Sequence, residues 1–74
     1  MRKVQLTRVI EREGDGYVAL CPELDIASQG DTVEEARANL TEAVEGFLEA
    51  ASEAEIRERF GTERYVENLE VEVA

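Results

Sequence analysis

The chain contains no histidine, a single cysteine and a single proline. Without an imidazole base, Ser–His and Cys–His nucleophilic arrangements are excluded. Zinc would find one thiolate and otherwise only carboxylates, a poor donor set. A lone cysteine cannot form an internal disulfide. No apolar run is long enough to suggest a membrane-spanning helix, and the first residues lack the apolar core of a signal peptide. A cytoplasmic location is therefore expected. Cations are sparse as well: eight Lys and Arg stand against eighteen Asp and Glu, for a net charge of −10.

The charge is unevenly placed. Residues 1–12 hold Arg2, Lys3, Arg8 and Arg12 against Glu11, a balance of +3, so the remainder carries −13. An acidic body is repelled by phosphates, so nucleic acid is not an expected ligand, whereas a basic protein would be attracted. Such charge also keeps small proteins soluble. The chain is 43% hydrophobic over 74 residues, which makes one folded domain, residues 1–74. A chain this short buries only ~60% of its unfolded surface, so self-association is a natural source of added stability.

Along the chain, residues 3–12 (KVQLTRVIER) are rich in β-branched residues and read as a strand. Val4, Leu6 and Ile10 fit one face, while Arg8 interrupts them and Val9 points the other way, so a bulge near Thr7–Arg8 is expected. Gly14 and Gly16 around Asp15 mark a hairpin turn. Tyr17–Cys21 forms a second strand with apolar residues on both faces, ended by Pro22. A third short strand takes Leu24 to Ser28, with Leu24 and Ile26 on one side. Val33, Ala36, Leu40, Val44, Phe47, Leu48 and Ala51 then recur at helical spacing, which predicts a helix over Thr32–Ala51. Asp31 with Glu34 has capping-box spacing, and Thr32 is the alternative cap. Gly46 inside the helix suggests close approach of a strand or another chain. Ser52 and Gly61 bound a second helical segment. Leu69, Val71 and Val73 alternate with Glu70 and Glu72 as a half-buried final strand.

The resulting order is β-β-β-α-β: an antiparallel three-strand meander, one main helix on one face, and a fourth strand returned parallel to the first by a right-handed crossover. This is a two-layer α+β domain. The stretch CPELDIASQGDTVEEA, residues 21–36, is explained without catalysis. Pro22 ends a strand, Gly30 permits a turn, the acidic residues cap a helix, and Cys21 is a small core residue. A carboxylate metal site on Glu23, Asp25 and Asp31 is the remaining enzymatic option, but loop and cap positions do not supply the convergent ligands that magnesium needs.

Residues 16–48, GYVALCPELDIASQGDTVEEARANLTEAVEGFL, resemble the HicB-like antitoxin family. The family pattern is matched at Gly16–Tyr17, Pro22–Glu23–Leu24, Gln29–Thr32, Glu34–Ala36 and Asn39–Ala43. The resemblance implies a partial ribonuclease H-like fold acting as an antitoxin, which binds a small basic ribonuclease toxin of HicA type and covers its active site. Ribonuclease H itself needs an acidic metal ligand on its first strand; here that strand offers Lys3, Gln5, Thr7 and Arg8, so the fold is expected without the chemistry. Fuller family members carry a C-terminal DNA-binding domain; with the sequence ending at Ala74, direct DNA binding is not expected.

The expectation is a non-catalytic binding module without cofactor or metal. Its candidate contacts to a basic partner are Glu23, Asp25, Asp31, Glu34 and Glu35. A homo-oligomer, most simply a dimer, is expected through Tyr17, Val18, Ala19 and Leu20, because one helix covers one sheet face only. The alternatives are a metal-dependent nucleic-acid-processing enzyme of ribonuclease H-like fold, and an orphan self-associating domain.

Overall fold

A computed structural model describes residues 4–74. The start of the expected first strand, at Lys3, lies outside the described residues. Strands β1 (Val9–Glu13), β2 (Gly16–Cys21) and β3 (Ile26–Gly30) form an antiparallel sheet in the order β1-β2-β3, followed by helices α1 (Val33–Ala50) and α2 (Glu53–Phe60). The architecture is α+β, as the sequence predicts. The β1–β2 turn places Gly14 at φ 59, a left-handed conformation that glycine takes without strain.

Register fixes the faces. Ile10, Ala19 and Ser28 stand abreast across the sheet, as do Val9, Leu20 and Ala27. Ile10, Tyr17 and Ile26 pack toward the helix side, where Ala19, Cys21, Leu24, Ala36 and Leu40 form the buried core. Fully burying a leucine such as Leu24 contributes about 1.5–3 kcal/mol. α1 reaches this core through Ala36 and Leu40, with Val44, Phe47 and Leu48 at its margin. β3 approaches the start of α1 so closely that a Cβ on Gly30 would lie 2.6 Å from the Ala36 amide nitrogen. Only glycine fits there.

Three local expectations need correction. No bulge interrupts the described β1–β2 ladder. Pairing starts at Val9↔Leu20, because the position that would face Thr7 is Pro22, which has no N–H to give. The third strand starts at Ile26 rather than Leu24, since residues 22–25 form a turn in which the Asp25 amide donates to the Pro22 carbonyl at 3.2 Å. Leu24 is buried from within that turn. Gly46 has nothing within 4 Å of where its Cβ would stand, so it serves no close approach inside the chain.

The fourth strand is the largest difference. Residues 63–74 form neither strand nor helix and pair with none of the described strands. Leu69, Val71 and Val73 are 88%, 67% and 88% exposed. A strand needs an edge and a face to cover, and this tail reaches neither on its own sheet.

Candidate functional site

Two ends of the sheet carry the candidate acidic contacts. At one end, Pro22–Asp25 turns from β2 to β3. Asp25 takes φ 55 there, a conformation that aspartate tolerates better than bulkier residues. Its side chain is exposed. Glu23 beside it is half-buried, and its carboxylate oxygens each accept the Thr7 N–H at 3.0 Å. The Thr7 hydroxyl donates to the same carboxylate, and the Cys21 thiol lies 3.7 Å away. Glu23 thus accepts the Thr7 N–H, which lies beyond the end of the ladder, and anchors the segment before β1. Partial burial acts to raise its pKa, but the Thr7 hydrogen bonds outweigh it and hold the carboxyl below its ordinary 4.5. Burial raises the Cys21 thiol above its ordinary 9.0, with the nearby Glu23 charge adding to the effect.

At the other end, β3 passes through Asp31 into α1. Thr32 is the N-cap, and its hydroxyl accepts the Glu35 N–H at 3.0 Å. The Glu35 carboxylate in turn accepts the Asp31 N–H at 3.0 Å. This is a close variant of the capping box. Glu35 therefore has a structural duty, while the exposed Asp31 and Glu34 side chains have no hydrogen-bond partner among the described residues. Asp31 and Glu35 join Glu13, Tyr17 and Gln29 around a cleft of about 400 Å³. Glu34 faces a neighbouring groove with Arg8, Arg37, Glu42 and Glu45.

The five candidate residues thus form two groups. Glu23 and Asp25 sit at one end of β3, and Asp31, Glu34 and Glu35 at the other, about 20 Å along the strand at its usual rise. The second group is the denser acidic surface. No three metal-ligating side chains converge among the described residues, and no helix among them is long and apolar enough to cross a membrane.

Of the candidate oligomer contacts, Tyr17 and Ala19 face the helix and its core, whereas Val18 and Leu20 face away from it. Ala19 is fully buried, but Val18 and Leu20 stay half-exposed although β2 is the central strand. With Val9 and Ala27 they make an apolar outer face. Three structural residues escaped the sequence reading. Thr7 binds Glu23. Asn39 on α1 donates to the Gln29 carbonyl at 2.7 Å and ties the helix to β3. Arg59 on α2 donates to the Leu24 carbonyl and stacks over Phe47, 5.0 Å from its ring centre. Only Asn39 left a signal, as the first residue of the matched Asn39–Ala43 stretch.

Comparison with known proteins places the chain. It is 47% identical over 49 residues to UPF0150 protein ssl0738 of Synechocystis sp., a match spanning 64% of this chain and 68% of that protein. The chain belongs to the UPF0150 family. A second UPF0150 protein of the same organism, ssr1765, is 52% identical over 46 residues, covering 60% of this chain and 58% of that relative, so less than two thirds of its length is matched. No family profile matches, and no solved structure matches significantly. The two UPF0150 names state no activity or partner.

Proposed function

We propose that this UPF0150 chain is a non-catalytic binding module that neutralises a small basic ribonuclease of HicA type by covering its active site. The observation that carries the reading is the continuous HicB-like stretch, residues 16–48, with its acidic cluster at the β3–α1 junction. Asp31 and Glu34 project from that junction with no side-chain hydrogen bond among the described residues, in a chain of net charge −10. Opposite charge on a partner speeds the encounter and fixes its orientation, and the Glu13–Asp31–Glu35 cleft is a fitting seat for a protruding lysine or arginine. The chain supplies charge and shape, and the chemistry belongs to the partner.

The test uses a basic, histidine-bearing ribonuclease encoded beside this chain. Added protein should abolish its RNA cleavage at a one-to-one ratio, and association should slow as salt rises. Asp31→Asn with Glu34→Gln should slow association further while the protein stays folded. Undiminished cleavage at saturating protein overturns the proposal.

A further inference from the structure

We propose that residues 66–73 of one copy add as a strand to the open edge of β1 in a second copy. The tail has the pattern of a half-buried strand, yet its apolar residues stand in solvent: Leu69 and Val73 are each 88% exposed. Among the described residues β1 is an edge strand, with β2 on one side and no strand on the other. An open edge and an unused strand in one chain are complementary.

Side-chain chemistry specifies this edge. On β1, Arg12 shares the parity of Ile10 and so lies toward the helix side, where it stacks over Tyr17, while Arg8 immediately precedes the strand beside α1. Neither makes an ion pair; among the described residues only Arg57–Glu53 does. On the outer side stand Val9, abreast of Leu20 and Ala27, and beyond it Glu11 and Glu13. In the tail, Glu70 and Glu72 alternate with Leu69, Val71 and Val73. A strand laid beside β1 with its carboxylates toward Arg8 and Arg12 sets its apolar residues on the outer side, one of them beside Val9. The edge of β3, Ile26–Gly30, has no charged residue to meet Glu70 and Glu72.

The tail is donated outward. The radius of gyration is 14.5 Å and the long axis 48 Å, against about 11 Å for the radius of a compact domain of this length. The tail leads away from its own sheet, which leaves the edge of a second copy as its seat. The same exchange gives that copy's tail to the first, closing a two-fold dimer. This inference stands apart from the binding-module reading.

The test uses full-length chains. A Cys21→Ala, Ala74→Cys chain carrying a nitroxide is mixed with an isotope-labelled unmodified chain. The β1 amides of the labelled chain should lose at least half their intensity, and light scattering should give twice the 8.3 kDa chain mass. Leu69→Glu with Val71→Glu should return the mass to that of one chain with the helical signal unchanged. Three results overturn the proposal: intensity loss only when spin label and isotope share a chain, no loss at β1, or a dimer indifferent to the double substitution.

Discussion

The Glu23 carboxylate receives both donors of Thr7, and that one contact holds the segment ahead of β1 in place of a ladder that Pro22 cannot continue. Its pH dependence follows from the sign of the shift. A carboxyl held below 4.5 in the fold contributes stability that is fully present above that value and is lost as pH falls through its folded pKa. Glu23→Gln is therefore expected to destabilise the protein by about 1 kcal/mol at neutral pH. The difference from the parent should shrink as pH falls below 4.5, as read by urea unfolding at neutral and acidic pH. Cys21, 1% exposed and with its thiol pKa raised by burial, should react with a thiol reagent at least about tenfold more slowly in the native state than in urea. The sequence marked Cys21 as a core residue from its place in an alternating strand. It gave Glu23 no partner, because Thr7 lies 16 residues away and a hydrogen bond across that separation leaves no local pattern.

At the scale of elements, α1 was legible to within a residue at each end because cap chemistry and apolar spacing agree. Which residue caps was not, since Asp31 and Thr32 both suit the position and only backbone geometry chooses. Thr32→Ala should cost about 0.5–2 kcal/mol in thermal unfolding, while Asp31→Ala should cost less than that. Gly30 is the joint between layers. Gly30→Ala sets a methyl 2.6 Å from the Ala36 nitrogen and 2.9 Å from the Glu35 carbonyl carbon, so a loss of about 1–3 kcal/mol by overpacking is expected. The final alternating run shows the limit of periodicity: residues 69–73 state which side chains share a face, not which edge, or whose, the strand joins.

For the whole molecule, the core among the described residues consists of five buried side chains and lies on one side of the sheet. The outer face of Val9, Val18, Leu20 and Ala27 is left open, so self-association should add stability and the melting temperature should rise with protein concentration across the micromolar range. A concentration-independent midpoint would count against it. The candidate surface was legible as composition, since eighteen acidic residues in 74 imply a charged exterior. Its division into two ends of β3 was not, because adjacency in sequence hides the length of the strand between. Covering an active site is read directly as inhibition, which makes inhibition the decisive readout. The most direct measurement is titration of the proposed HicA-type ribonuclease partner with this chain while RNA cleavage is followed. The account predicts a linear fall to zero at one equivalent, weakened by Asp31→Asn with Glu34→Gln; cleavage that continues unchanged with excess protein would contradict it.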